Sequence, residues 1–599
     1  MPGWIFNRIK VFYFYIGVVK VEEIQQVLLE KNVPCTMRDG TVLYSNIYRP
    51  NKEGKYPVLL TRLPYNKDLP MFSHRYLDTN RLVENGYIVI VQDVRGRFAS
   101  EGEFYPFLYE SEDGYDTVEW AAQLPYSTGE VGMFGLSYYG FTQLLAAAER
   151  PPHLKAIVPA MTLSDWWSDS VERDGKFLVG SSETWALESI APDQIKRKYK
   201  DPKQYAVMMT KLVEHYNKIE DWYLYKPIEK WPPLKELGVA DFFDDYVNDR
   251  LNKEHKERIS IRNKYENINI PAYHIAGWYD NFLQSTVRNY TELAKKENSS
   301  LQKLIIGPWG HGVFHSTLGE RSFGMDASGD WIDQKGDLTD LHIRWFDALL
   351  KEKTSSLMEE APIKLFVMGI NKWRDEYEWP LARTTYTPFY LHSGGSANTR
   401  FGDGGLSVRE PEKEANDTFI YNPENPVPST GGSNLYAGVN TMGPRDQREI
   451  ETREDVLVYT SEPLTEPLEV TGTIKVKLWA KTDAVDTDFT AKLIDVMPDG
   501  KAYNLTDGIV RAAYRNGDKR EETVKDEIIE YEVDLWATSN VFLPGHCIRV
   551  EISSSNFPRF DMNLNTGKTM INSVAERKAS QTIYHQEEYP SHIVLPVVG

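Results

Sequence analysis

The run VGMFGLSYYGFTQLLAAAER, residues 131–150, decides how the chain is read. Residues 131–135 have the look of a short buried strand, and residues 138–150 of a helix. Ser137 stands at the turn between them. A strand, a sharp turn bearing serine, then a helix is the setting of the nucleophile elbow G-x-S-x-G. There, small residues two before and two after the serine let helix and strand pack closely. Gly135 supplies the first. The second arrives one residue late: Tyr139 holds its place and Gly140 follows. A glycine at 140 can still relieve crowding against the neighbouring strand. Ser137 is therefore a candidate nucleophile, against the plainer reading of a serine that falls between glycines by chance.

Outward from the elbow, short β-branched runs recur at 57–65, 86–96, 156–161, 272–280 and 303–311. Helical stretches at 113–124 and 138–150 separate several of them. Strands alternating with helices predict a mostly parallel α/β sheet. Residues 165–265 interrupt the pattern with helical segments and predict a cap inserted between two sheet strands. From residue 361 strands dominate, with Gly/Pro-rich loops at 394–406 and 422–444. An all-β domain follows, expected as a two-sheet jelly roll. The expected division is an N-terminal extension 1–33, an α/β domain in two parts (34–164 and 266–357), the cap 165–265 and the β domain 358–599.

A serine nucleophile needs a base and an acid, each in a loop after a strand, in the chain order Ser, Asp/Glu, His. Asp280 ends the run AYHIAGWYD, and His311 ends KLIIGPWGH. Histidine titrates near neutrality and can take the serine proton and return it to a leaving group. A buried carboxylate fixes its tautomer and stabilises the imidazolium. Asp280 has a competing role as the cap of the helix that follows. One oxyanion donor is expected from the backbone N–H of Tyr138. The Tyr65 hydroxyl, in LPYNK, is the candidate for the second, because no glycine run follows an early strand.

Lys and Arg number 68 and Asp and Glu 87, a net charge of −19 that disfavours nucleic acid as a partner. The two cysteines, Cys35 and Cys547, cannot make a disulfide framework and read as free thiols. No HExxH, CxxC or phosphate loop is present, so neither a cofactor nor a metal is expected. The basic and apolar start MPGWIFNRIKVFYFYIGVV lacks an A-x-A-like cleavage site and is short for a membrane span. A cytoplasmic location is expected, with secretion as the alternative and no membrane span.

Together these motifs resemble the cocaine-esterase-like hydrolases, relatives of the X-Pro dipeptidyl-peptidases and the α-amino acid ester hydrolases. That family writes its elbow G-x-S-Y-x-G, which GLSYYG matches. Its D-V-R-G-x-x-x-S-x-G signature is similar to residues 93–102, with Asp93 and Arg95 in supporting roles. GWYDNF and GPWGHG would carry the acid and the histidine. The resemblance implies an α/β-hydrolase domain with a helical cap and a C-terminal jelly roll. It also implies a catalytic Ser137–Asp280–His311 triad, with Tyr65 as an oxyanion donor. The α-amino acid ester hydrolases place carboxylates after the catalytic Asp. Here Asn281 and Phe282 follow. A small-molecule ester or amide with a neutral acyl group is therefore expected, with Phe282, Trp166 and Trp167 lining its pocket. A cephalosporin-acylase-type amidase or an X-Pro dipeptidyl-peptidase-like peptidase is the alternative. A non-catalytic binding protein with a lectin-like jelly roll is the alternative of another class. Homo-oligomerisation is left open.

Overall fold

The computed structural model describes residues 26–295, 301–354, 356–438, 442–517, 519–523 and 525–599. The expectations for residues 1–20 lie outside them. Ten strands form the first sheet. They are β1 (Val27–Thr36), β2 (Val42–Pro50), β3 (Tyr56–Leu63), β4 (Ile88–Asp93), β5 (Ser127–Leu136), β6 (Leu154–Ala160), β7 (Ala272–Tyr279), β8 (Gln302–Gly310), β9 (Ile363–Val367) and β10 (Lys372–Glu376). Their spatial order is β1-β2-β4-β3-β5-β6-β7-β8-β9-β10. From β4 to β9 every neighbouring pair is parallel; β1, β2 and β10 join antiparallel at the edges.

Sheet position explains the sequence pattern. β4, β7 and β8 are buried along their whole length, so both faces demand apolar residues and the runs do not alternate. Val58, Leu60, Ile88 and Ile90 pack with Val118, Phe141 and Leu144 from helices Glu110–Ala122 and Tyr138–Ala148. Their neighbours Leu59, Val89 and Val91 pack on the other face with Leu341 and Trp345 from helix Leu338–Leu350. Parallel strands also bring the C-terminal ends of β5, β7 and β8 to one edge, where α/β sheets place their ligands.

Between β6 and β7 the chain runs through a set of helices, including Val179–Trp185, Ala191–Lys198 and Pro202–Tyr216. They share one core with the strands below. A two-residue ladder, Glu172–Arg173 with Lys176–Phe177, opens the insertion; it is too short for periodicity to reveal.

The run after residue 358, expected wholly within the β domain, begins differently. Ile363–Val367 hydrogen-bonds in parallel to β8, and Lys372–Glu376 pairs onto it. The β-branched run at 363–367 suits either sheet. The helix Leu338–Leu350 supplies the crossover that a parallel neighbour requires. Beyond Glu376 a second hydrogen-bonded network of twelve strands forms, organised around the long strand Leu468–Thr482. That strand pairs with Ile529–Phe542, Ala579–Gln586 and His592–Val598. Its ladder with Ile529–Phe542 slips between Thr473 and Lys475, and the bulge holds Trp536 at φ 64°. Trp278 and Tyr279 of β7 share a buried cluster with Phe366 of β9 and Leu535 and Phe542 of the second network.

Candidate active site

Ser137 caps β5 with φ 58° and ψ −125°, a conformation that costs a non-glycine residue energy and pushes its side chain out of the turn. Two glycines permit this. At Gly135, with φ 143°, an added Cβ would lie 2.3 Å from the Tyr139 ring. At Gly140 it would lie 2.7 Å from Thr162 Cβ and 2.9 Å from the Ala160 carbonyl. The late glycine is thus the contact point between helix Tyr138–Ala148 and the end of β6. Tyr139 turns away, ring-to-ring with Tyr65, Phe72 and Tyr76.

The Tyr138 N–H lies in the first turn of that helix, where backbone donors have no intrahelical acceptor. Its side chain is anchored below. The phenol donates to Glu110 Oε1 at 2.9 Å and accepts from the Phe107 N–H at 3.2 Å. Glu110 is buried and paired with Arg62 at 2.7 Å, and burial holds its carboxyl above the usual range.

Asp280 and His311 meet. His311 Nδ1 lies 2.6 Å from Asp280 Oδ1, and Asp280 is 0% exposed. The helix after Asp280 begins at Leu283, with Phe282 at its N-cap position, so Asp280 is not the cap residue. The Phe282 ring packs edge-on against the imidazole at 5.3 Å. Gly312, next along, leans over Leu136: a Cβ there would sit 3.9 Å from the Leu136 side chain. Its N–H points to the Met161 sulfur at 3.3 Å. The loops after β6 and β8 thereby meet beside the end of β5, and Asp280 joins the loop after β7 to His311.

Tyr65 lies over the elbow. Its hydroxyl accepts from Trp185 Nε1 at 3.1 Å. Burial pushes the phenol up to about 12, so it is a neutral donor near neutral pH. Trp185 escaped the sequence reading; nothing in a cap helix marks one tryptophan among several. Arg97 escaped it too. It is buried, and its guanidinium donates to Pro64 O at 2.9 Å, Ser189 O at 2.8 Å and Ile190 O at 3.0 Å. It therefore ties the Tyr65 loop to the cap. Asp93 pairs with Lys67 at 3.0 Å, and Arg95 with Asp113 at 2.6 Å, both bracing loops.

The two adjacent tryptophans share one neighbour, Tyr246, and differ in the others. Trp166 is buried against Phe107 and Trp185, one ring removed from Tyr65. Trp167 meets the same Tyr246 ring that packs on Trp166, and its own ring lies 4.0 Å from the Lys256 ammonium. Among the described residues no group of three or more His, Cys, Asp or Glu could hold a metal ion, and no helix is long and apolar enough to cross a membrane.

Comparisons with known proteins agree on one family. The X-Pro dipeptidyl-peptidase (S15 family) model matches residues 39–313, and the X-Pro dipeptidyl-peptidase C-terminal non-catalytic domain matches 356–594. The chain is 41% identical over 577 residues to cocaine esterase of Rhodococcus sp. (strain MB1 Bresler), covering 95% of this chain and 98% of that one. The chain belongs to the cocaine-esterase-like serine hydrolases. Its fold matches a crystal structure of an aminopeptidase from the marine sediment archaeon Thaumarchaeota archaeon. The TM-score is 0.79 at 25% identity, over 96% of this chain and 97% of that one. It also matches an α-amino acid ester hydrolase, with TM-score 0.77 at 23% identity over 97% and 98% of the two chains. As a member of this family it is an α/β-hydrolase enzyme with a β-rich C-terminal domain.

Proposed function

We propose that Ser137, His311 and Asp280 form the catalytic triad of an esterase, with Tyr65 and the Tyr138 N–H as its oxyanion hole. Ser137 Oγ attacks the ester carbonyl carbon while His311 Nε2 takes the Oγ proton. The carbonyl oxygen gains the electron pair and the two donors receive it. Collapse expels the alcohol, which takes the proton from His311. Water then repeats the sequence on the acyl-enzyme and releases the acid. The observation that carries this reading is the 2.6 Å contact between His311 Nδ1 and a fully buried Asp280. It fixes one ring nitrogen and leaves Nε2 for the serine proton. Phe282, Trp185 and Tyr138 offer apolar ring surface for the acyl group, and neutral Asn281 offers no countercharge to an α-ammonium. Esters without an α-amino group are therefore the favoured class. The test is hydrolysis of 4-nitrophenyl butyrate by wild type and Ser137→Ala. Turnover lost in a folded Ser137→Ala protein is the expected result; retained turnover removes Ser137 from the role.

A further inference from the structure

The backbone donor at Tyr138 belongs to a peptide unit at the very start of a helix. First-turn amides have no carbonyl one turn back to hold them, so their direction depends on what else grips the residue. A peptide unit is planar, with its C=O and N–H on opposite sides. On the Ser137 carbonyl side this one is gripped three times. The Gly140 and Phe141 N–H groups donate to that carbonyl at 3.0 Å each, and Thr162 Oγ1 donates at 2.7 Å. On the Tyr138 side the polar grip is the side chain. Tyr138 is 2% exposed, and its phenol donates to Glu110 Oε1 at 2.9 Å and accepts from the Phe107 N–H at 3.2 Å.

Both partners of the phenol come from one short stretch, residues 107–110. Phe107 has φ 62°, a left-handed conformation that is costly for an aromatic residue and persists where the surroundings enforce it. In that conformation its N–H meets the phenol while its ring stacks on the Tyr138 ring at 3.8 Å. Glu110 opens helix Glu110–Ala122, and its carboxylate is divided. Oε2 receives Arg62 at 2.7 Å, and Oε1 receives the phenol. Arg62, on β3, also donates to Gln92 Oε1 on β4 at 2.7 Å, and both residues are 0% exposed. A buried polar chain Gln92–Arg62–Glu110–Tyr138 therefore runs from two central strands to the residue after Ser137. A buried ion pair as a rule contributes little net stability. What this one supplies is a fixed acceptor for the phenol.

We propose that Glu110 is a positioning residue for the hydrolysis: acting through the Tyr138 phenol, it holds the Tyr138 N–H in register with the developing oxyanion. This rests on the triad reading above. Glu110 touches no reacting atom. Its effect is on geometry, and a misplacement of about 1 Å can cost on the order of 10²-fold in rate.

Glu110→Ala would strip a buried guanidinium of its partner and endanger the fold. The test therefore starts from Tyr138→Phe, which keeps the ring, the backbone N–H and the Arg62–Glu110 pair and removes only the tether. With 4-nitrophenyl butyrate, kcat is expected to fall by about tenfold with KM little changed. Propylboronic acid forms a tetrahedral adduct with a catalytic serine that places an oxygen in the oxyanion hole, so its affinity should weaken by a similar factor. Glu110→Gln should lower kcat by less, since a neutral amide oxygen still accepts from the phenol, more weakly than a carboxylate. Added to Tyr138→Phe it should lower kcat no further, because the path from Glu110 is already cut. Unchanged kcat and boronate affinity in Tyr138→Phe, whatever its melting temperature, would overturn the proposal. So would a loss confined to KM, or a further fall in kcat when Glu110→Gln is added to Tyr138→Phe. A wild type that propylboronic acid does not inhibit, and that Ser137→Ala leaves active, would instead count against the triad reading.

Discussion

At the scale of single residues, Tyr65 carries the sharpest consequence. Its hydroxyl accepts from an indole N–H, which leaves its own proton free to be donated elsewhere. Tyr65→Phe keeps the ring packing against Phe72 and removes only that donor. It should lower kcat by roughly 10²–10³, as loss of an oxyanion donor does elsewhere, with KM little changed. An unaltered kcat would assign the job to another group. Because burial lifts the phenol to about 12, it remains protonated and able to donate below that pH. Wild-type kcat should therefore show no alkaline fall due to Tyr65 up to about pH 10. Such a fall, absent from Tyr65→Phe, would show that the phenol ionises earlier.

At the scale of elements, the elbow was legible because strand, serine and helix are consecutive in sequence. The meeting of Asp280 and His311 was legible because each directly follows a fully buried strand. What stayed hidden is contact between distant segments. Trp185 lies 120 positions from Tyr65, and Glu110 lies 28 from Tyr138. No periodicity encodes either meeting. The assignment of 363–367 to one sheet or the other also depends on the crossover helix rather than on its own residues. The late glycine is different: its reason is steric and local. Gly140→Ala places a methyl group 2.7 Å from Thr162 Cβ, so the helix must shift off β6. The expected cost is about 1–3 kcal/mol, typical of overpacking, measured by denaturant unfolding. A fall in kcat should accompany it, since the same shift moves the Tyr138 N–H. Unchanged stability would mean that the helix has slack at this point.

At the scale of the whole molecule, the cap and the C-terminal region are joined by buried charge. The Phe177 N–H donates to Asp561 Oδ1 at 3.0 Å, and Arg511 bridges Asp561 and Asp488 at 3.0 and 2.9 Å. Burial raises the Asp561 carboxyl to about 6, with Arg511 opposing the shift. A carboxyl whose folded value lies above its unfolded one binds a proton more readily when folded. Its stabilising contribution is complete below about pH 4 and lost as pH rises through about 6. Asp561→Asn keeps an acceptor for the Phe177 N–H and removes the titration. The difference in melting temperature between wild type and variant should then shift in favour of wild type as pH falls from about 7 to 4. A constant difference would mean that Asp561 titrates alike in folded and unfolded chains.

The indole that steadies Tyr65 belongs to the cap, and the backbone carbonyls that Arg97 grips belong to it as well. If Tyr65 serves as the proposed oxyanion donor, the hydrolase sheet depends on the cap to hold that donor in place. Lifting the cap to admit a substrate would free the Tyr65 hydroxyl to swing, and the oxyanion would lose a fixed donor at that moment. On the proposed role of Tyr65, a form with its cap lifted would then turn over slowly.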